Sequence, residues 1–293
     1  MVLIQALVNG LLIGAVWGVL GLGKQIVLGV IHFVNFAHGH LVLLGMYLTL
    51  FAWITTGADP FLLLPVVAIA MVILAFILDR LLVRRLIKLG ERSQMIATIA
   101  LALVIENAAL LIAGPQPRTL QNSWSDKAVQ LGGVYLNAGR LMGLAIAILA
   151  FVVTWWIITK TPLGVMIRAT SQNRAAAQYM GIDIGRVYAY AFALSVALAG
   201  VVGSLYVVST PVDPSTAWTF LILMFIVPVL GGLGSIAGTF LAGLIVGVLQ
   251  LLSTTYFDIQ LQDALVYGVF VLFLVVRPQG LFGRAADQRQ VSV

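Results

Sequence analysis

Long apolar runs recur along the whole chain, most of them near the roughly 20 residues that an α-helix needs to cross a bilayer. A membrane β-barrel would instead alternate polarity over segments of about 10 residues, a pattern absent from this sequence. We therefore predict an all-α, polytopic integral membrane helical bundle of eight to ten spans, forming a single transmembrane domain over residues 1–293. The predicted spans are Leu3–Leu22, Leu41–Thr56, Phe61–Leu78, Ile96–Ala113, Leu141–Ile158, Val187–Val208, Thr219–Leu230, Ile236–Leu252 and Ala264–Val276.

Two glycine-containing segments interrupt this apolar pattern, one near each end of the chain. They are "QIVLGVIHFVNFAHGH", Gln25–His40, and "VLGGLGSIAGTFLAG", Val229–Gly243. Broken helices at membrane depth are tolerated only where protein buries the exposed backbone or where it lines a cavity. A pair of such breaks in the two halves of a transporter indicates a site. Close helix packing through small residues is the alternative, and the sequence leaves both open.

The composition agrees with a membrane protein, because 61% of the residues are hydrophobic and 9% are charged, against about 25% charged in soluble domains. The chain has no cysteine, which excludes disulfides, thiolate catalysis and cysteine-ligated metals. The first apolar run lacks the basic flank and cleavage site of a signal peptide, so we predict a retained span. Tryptophans toward the span ends, such as Trp155 and Trp218, are typical of an interfacial belt.

The net charge of +6 is concentrated in three basic clusters, which hold 12 of the 16 lysines and arginines. The clusters comprise Arg80, Arg84, Arg85, Lys88 and Arg92; Lys160, Arg168, Arg174 and Arg186; and Arg277, Arg284 and Arg289. Two and then four predicted spans separate them, so the positive-inside rule places all three clusters and the C-terminus in the cytoplasm. We therefore predict a cytoplasmic loop at about 160–186 and an external loop at about 115–140. This placement indicates membrane orientation rather than nucleic-acid binding.

One short motif resembles a nucleotide-binding loop but lacks two of the features that such a loop needs. Gly18, Gly23 and Lys24 have the G-x-x-x-x-G-K spacing of a phosphate-binding loop, but Gln25 follows where magnesium requires Ser or Thr. An apolar span precedes the motif instead of a strand. We interpret the match as coincidence, and no pattern of paired carboxylates or nucleophiles indicates enzyme chemistry.

Four motifs, in order, resemble the permease subunits of branched-chain amino acid ABC importers, and the resemblance covers essentially the whole chain. They are "VNFAHGHLVLLGMYL" (34–48), "QNRAAAQYMGIDIGRVYAYAFALSVALAGVVG" (172–203), "GGLGSIAGTFLAG" (231–243) and "RPQGLFGR" (277–284). Urea and other amide importers share these motifs. The length and early first span resemble the shorter of the two permease types. His40 stands where the family usually has an acidic residue, and Lys24, Gln25 and His32 replace small or apolar residues.

The resemblance implies an assembly in a bacterial inner membrane. The chain would pair with a homologous permease in a heterodimer, or with itself in a homodimer, and rest on two cytoplasmic ATPase subunits. A periplasmic binding protein would deliver the substrate. The chain itself would be a transport subunit without cofactor, because the partner subunits bind the ATP. A self-sufficient secondary transporter is the alternative of a different class.

The stretch "TSQNRAAAQYMGID" predicts a short cytoplasmic helix, with Thr170, Ser171 or Asn173 as the N-cap and Gly181 as the stop. A helix this short needs a docking partner. The family's coupling helix, which receives the ATPase motion, resembles this segment, and Gly181-Ile182-Asp183 match its pattern. The predicted coupling residues are Arg174, Met180, Gly181, Ile182, Asp183 and Arg186. A helix lying on lipid headgroups is the alternative.

Polar residues in the breaks and in one span are the candidates for the substrate pathway. An ionised carboxylate inside a span is a functional candidate by default, which singles out Glu106, although the adjacent Asn107 also fits a contact with the partner permease. His38 fits either the pathway or a cap on the broken helix. No carboxylate or cysteine accompanies the histidines, so we predict no metal site. The predicted pathway residues are Asn35, His38, Glu106, Gly231, Gly232, Gly234 and Ser235.

Overall fold

The computed structural model is helical through most of the residues that it describes, which are 2–121, 124, 127–131, 134–257 and 261–283. Its helices are α1 Val2–Ile26, α2 His38–Thr56, α3 Pro60–Leu78, α4 Arg84–Leu86, α5 Glu91–Ala113, α6 Ala138–Lys160, α7 Pro162–Gln172, α8 Arg174–Tyr179, α9 Ile184–Val207, α10 Ala217–Gly231, α11 Ile236–Tyr256 and α12 Gln262–Val276. A π-helical turn, Val27–Ile31, extends α1, and a second, Asp79–Val83, joins α3 to α4. A 3₁₀ turn, Pro214–Thr216, leads into α10.

Within the described chain, 8 helical stretches are long and apolar enough to span a membrane. They are Val2–Ile31, His38–Thr56, Pro60–Leu86, Glu91–Ala113, Ala138–Lys160, Ile184–Val207, Pro214–Gly231 and Ile236–Tyr256. The ninth predicted span corresponds to the shorter apolar helix α12. The predicted all-α membrane fold is confirmed, and both breaks fall between helices as expected.

A two-stranded hairpin, which the sequence did not predict, lies in the loop between α5 and α6. Strand β1 (Ala128–Leu131) pairs antiparallel with β2 (Val134–Asn137). The Gln5 side chain at the start of α1 donates to the Tyr135 carbonyl at 2.7 Å and accepts from its amide at 3.1 Å. The beginning of α1 therefore lies on the same side of the bundle as the 115–140 loop, a point that the sequence left open.

Helices α1 and α11 pack along a seam of glycines. A Cβ atom added to Gly243 would lie 2.2 Å from the Gly18 nitrogen, and one added to Gly247 would lie 2.3 Å from the Gly14 Cα. Such distances leave no room for a side chain, so the two backbones touch directly, as small residues permit in membranes. Gly18, the first glycine of the nucleotide-loop match, thus belongs to a helix-packing seam.

The basic clusters come together at one end of the bundle, which we call the basic face. Arg85 of the first cluster and Arg174 of the second line one groove. The segment after α12 returns to the end of α10, where the Leu281 amide donates to the Leu230 carbonyl at 2.8 Å. Arg284 and Arg289 of the third cluster lie outside the described residues. The shared face is the arrangement that the even number of spans between clusters predicts.

Candidate functional site

The first break is a short non-helical connection between the π-helical turn after α1 and the start of α2. His32 adopts a left-handed conformation with φ of 53°, and helical structure resumes at His38. The Asn35 side-chain oxygen accepts from the Ala37 amide at 2.9 Å, so Asn35 forms the local turn that re-enters the helix. Both Asn35 and His38 are buried.

Lys24 is fully buried in α1 and ties this break to the helix before it. Its ammonium donates to the Asn35 backbone carbonyl at 2.6 Å and lies 4.2 Å from the centroid of the Phe225 ring. No carboxylate of the described chain lies within ion-pair distance of it. Because Gly18–Lys24 is continuous α-helix, the stretch lacks the loop that a phosphate would need.

The His38 ring packs where Gly23 leaves space, since a Cβ atom at Gly23 would lie 3.2 Å from His38 Nε2. Among the described residues, His38 Nε2 and Ser195 Oγ are buried without hydrogen-bond partners. No side chain caps α2 through a hydrogen bond. His38 therefore does not cap α2 through a hydrogen bond. Its Nε2 atom is a buried polar group beside the first break.

A second polar cluster, which we call the Glu106 triad, consists of Glu106, His40 and Trp218. Glu106 Oε2 accepts from Trp218 Nε1 at 2.9 Å and lies 3.4 Å from His40 Nε2. The His40 and Trp218 rings are nearly perpendicular with centroids 5.0 Å apart. The Glu106 side chain is 23% exposed, whereas neighbouring Asn107 donates to the Leu103 carbonyl of its own helix. Sequence reasoning found Glu106 but missed both partners, which are 66 and 112 residues away.

The second break is stabilised by the closing segment of the chain. Gly232 and Gly234 both have φ of +94°, and Ser235 begins α11 by accepting from the Gly238 amide at 3.1 Å. The Phe282 amide donates to the Gly231 carbonyl at 3.1 Å. A Cβ atom on Gly232 would lie 2.2 Å from the Gly283 nitrogen, so this glycine is required for the close approach.

The two breaks meet through the Gln25 side chain. In the amide orientation that satisfies its neighbours, its side-chain oxygen accepts from the backbone amides of Gly234 and Ser235. A cavity of about 360 Å³ adjoins this contact and is lined by Gln25, Arg168, Ser171 and Ser235 among others. Asn35, His38 and Glu106 do not line it. The predicted pathway residues thus divide between this cavity and the polar groups around α2.

The predicted coupling stretch contains two short helices on the basic face. Asn173, one of the three predicted caps, accepts from the Ala176 amide at 2.9 Å and begins α8. Gly181 ends α8 with φ of +83°, and the Ile182 amide donates to the Ala177 carbonyl at 3.1 Å, as in a glycine-stopped helix end. Asp183 caps α9 through the Arg186 amide and also pairs with the Arg186 guanidinium at 3.0 Å.

The end of α8 projects two large side chains away from the bundle. Tyr179 is 89% exposed and Met180 is 83% exposed, whereas Ile182 is partly buried. Arg174, at the start of α8, lies over the Tyr188 ring at 5.6 Å. The arrangement can hold α8 firmly on α9 while presenting an apolar knob to a partner, which is how helices dock into grooves.

Comparison with known proteins gives one family and several relatives. Residues 6–274 match the family model described as the permease component of branched-chain amino acid transport systems. The chain is 27% identical to the high-affinity branched-chain amino acid transport system permease protein BraD of Pseudomonas aeruginosa, over 96% of each chain. It is 25% identical to the permease protein LivH of Escherichia coli K12, also over 96% of each.

A more distant relative is LivM of Salmonella typhimurium, a permease protein of the same kind of transport system. The identity is 26% over 180 residues, which are 59% of this chain and 42% of LivM. No solved structure matches the chain.

Proposed function

Because the chain belongs to the family of permease components of branched-chain amino acid transport systems, we propose that it forms one half of the membrane domain of an ATP-driven importer. Its substrates are branched-chain or related amino acids, and ATP is hydrolysed on separate cytoplasmic subunits. The chain lies in a bacterial inner membrane with the basic face in the cytoplasm. The basic clusters on that face support this orientation.

The observation that carries the coupling proposal is the exposed end of α8. A large tyrosine and methionine, both more than four-fifths exposed, project from the end of a six-residue helix, a length that is marginal without support from neighbouring protein. Asn173 and Gly181 fix its two ends, Arg174 packs over Tyr188 of α9, and Asp183 caps the start of α9. The proposed coupling set is Arg174, Met180, Gly181, Ile182, Asp183 and Arg186. A gradient-driven carrier has no need of such a dock.

The proposed partners are a homologous permease, two ATPase subunits and an external binding protein. The similarity to LivM, as well as to LivH and BraD, supports a heterodimer of two related permeases. Part of the Glu106 carboxylate is exposed, and a charge facing lipid would be costly. We therefore propose that protein or water covers the surface around Glu106.

The proposed substrate pathway runs past the polar groups around α2 and the second break. Asn35, His38, Glu106, Gly231, Gly232, Gly234 and Ser235 are its residues. The buried donors of Lys24 and His38 suit the carboxylate of an amino acid, and the Glu106 triad suits its ammonium group. The glycines keep the second break compact against the C-terminal segment.

Reconstitution tests this proposal. The chain is extracted in mild detergent from cells that also produce its permease, ATPase and binding-protein partners, and uptake of radiolabelled leucine into proteoliposomes is measured. We expect uptake that requires ATP and all partners, with isoleucine and valine competing better than urea. Uptake by the chain alone, driven by an ion gradient, would instead establish a secondary transporter.

A further inference from the structure

A strongly basic groove of about 520 Å³ lies on the basic face between the segment that follows α3 and the start of α9. Four cations, Arg84, Arg85, Lys88 and Arg174, line it together with Ile184 and Tyr188. The first three come from the segment after α3, and the fourth begins α8. The groove therefore joins two basic clusters that are distant in sequence.

Most of this positive charge is not neutralised by the chain. Arg84 Nε pairs with Asp79 Oδ2 at 2.6 Å, but Asp79 is buried at the base of the loop. Arg174 lies over the Tyr188 ring, which offers no formal charge. Among the described residues, no carboxylate lines the groove, and Arg85 and Lys88 form no ion pair. The groove thus has the charge of a receptor for an anion.

An exposed apolar stripe leads from this groove along the whole length of α3. Its members recur every three or four residues on one side of the helix, and each is between 50% and 74% exposed. They are Leu62, Val66, Ile69, Ile73, Ile77 and Leu81. Leu81 is three residues from the first groove arginine, so the apolar stripe ends where the cationic groove begins.

We propose that the groove binds the phosphate of an anionic glycerophospholipid whose acyl chain lies along the half of the α3 stripe nearest the groove. Ile184 and Tyr188 belong to the first turns of a membrane-spanning helix, which places the groove at headgroup level. An ATPase subunit would sit farther into the cytoplasm. The combination of uncompensated cations and an adjoining apolar track fits a lipid better than it fits a soluble anion.

The site also has a consequence for coupling, which rests on the proposed function. Arg174 is the first residue of α8, so a phosphate held between it and Arg85 would tie the coupling helix to the end of α3. ATP-driven uptake in vesicles that contain phosphatidylglycerol should then exceed uptake in pure phosphatidylcholine vesicles. Equal uptake in both would overturn this consequence while leaving the importer itself established.

Lipid selectivity of the intact complex tests the site directly. Native mass spectrometry measures the retention of phosphatidylglycerol and phosphatidylcholine added in equal amounts to delipidated complex. We expect Arg85→Gln/Lys88→Gln to weaken the preference for phosphatidylglycerol by about tenfold or more, because each basic side chain near the headgroups contributes to binding. The control Arg80→Gln/Arg92→Gln removes the same charge from the same face outside the groove and should keep the preference.

Three results would overturn the proposal. First, the unmodified complex could retain both lipids equally, a result that would overturn the proposal without any variant. Glycerol phosphate in solution could displace the lipid completely, which would assign the groove to a free phosphate. The groove variant could bind lipid normally but lose its ATPase subunits, which would assign the groove to that protein.

Discussion

Glu106 is a carboxylate within α5, one of the helices long and apolar enough to span the membrane. A carboxylate in the hydrocarbon region is expensive unless it is paired or reaches water. Trp218 donates one hydrogen bond to it, and His40 supplies the nearest basic group, yet 23% of the side chain remains exposed. An isolated bilayer would be a poor solvent for that surface, so we expect the partner permease or the substrate pathway to cover it.

Replacing Glu106 by glutamine tests the pathway role at this position. The amide can still accept from Trp218 but loses the charge that would attract an ammonium group, so leucine uptake should fall by about tenfold or more. Radiolabelled uptake by cells with matched protein levels gives the measurement. Asn107→Ala, which removes only a bond to its own helix, should transport normally. A fully active Glu106→Gln protein would remove Glu106 from the pathway.

Asp213 gives a pH prediction on the opposite side of the bundle from the basic face. Burial alone would raise the pKa of its carboxyl, but hydrogen bonds from the side chains and amides of Ser215 and Thr216 outweigh burial and lower the pKa. These bonds form a capping box before α10. The stabilisation is complete above the unfolded-state pKa of about 3.9 and is lost as pH falls through the lower folded-state pKa.

Thermal unfolding of purified protein at a series of acidic pH values measures this effect. Wild-type protein should lose stability across that window, and Asp213→Asn should be less stable at neutral pH with a flatter profile. Ser215→Ala removes one donor and should show a smaller pH response. Identical profiles for wild type and Asp213→Asn would contradict the assignment.

Individual functional residues were only partly predictable from the sequence. Glu106 stands out because a charge inside an apolar run is conspicuous without any structure. His40 and Trp218 carry no local signal for their contact with Glu106. In the sequence, His40 stands out only as a departure from the family pattern, and Trp218 is typical of an interfacial belt. Lys24 stands out in the sequence as part of a false nucleotide motif and as a departure from the family pattern, but its bond to Asn35 depends on the path of the break.

At the scale of helices, the glycine seam between α1 and α11 should determine stability. A methyl group on Gly247 would lie 2.3 Å from the Gly14 Cα, so Gly247→Ala must separate two backbones and should cost about 1–3 kcal/mol. Thermal unfolding in detergent measures the loss. Gly143→Ala in α6 meets nothing within 4 Å and should be neutral or slightly stabilising. Equal stability of both variants would contradict direct backbone contact.

The glycine that stops α8 should determine coupling rather than folding. Proline cannot adopt the φ of +83° seen at Gly181 and removes the amide that donates to Gln178. Gly181→Pro should therefore remain in the membrane while ATP-driven uptake falls by about tenfold and ATP hydrolysis continues. Paired assays of both rates on the reconstituted complex make the measurement.

Gly57 offers a matched control, because it also has a positive φ, of 66°, and its amide also ends a helix. It lies at the other end of α2 from the first break. Gly57→Pro should keep uptake and ATP hydrolysis coupled. If Gly181→Pro retained full uptake, the coupling role of α8 would be wrong.

The helical elements were largely predictable, because apolar run length and glycine position are local signals. The ends of α8 follow from Asn173 and Gly181, and the predicted breaks lie where the chain leaves α1 and α10. Helix α7 was missed as a separate element, although Thr161 before Pro162 is a recognisable helix start. The packing of Phe282 and Gly283 against the second break involves residues about 50 positions apart, which no local pattern reveals.

In the whole molecule, the proposed coupling helix belongs to this chain, whereas the proposed ATPase site belongs to a separate subunit. The basic face carries α8, a cavity adjoins the second break, and direct backbone contacts hold α1 against α11. The absence of cysteine from the chain makes this arrangement directly testable, since single cysteines can be introduced without removing others.

Cross-linking from Met180→Cys in the intact complex identifies the protein against which α8 docks. The side chain is 83% exposed on α8, so a photo-activated reagent attached there should reach whatever α8 docks against. We predict a covalent product with an ATPase subunit. In right-side-out vesicles, an impermeant thiol reagent added outside should not label the cysteine. Labelling from the outside, or full uptake with no ATPase product, would contradict the account.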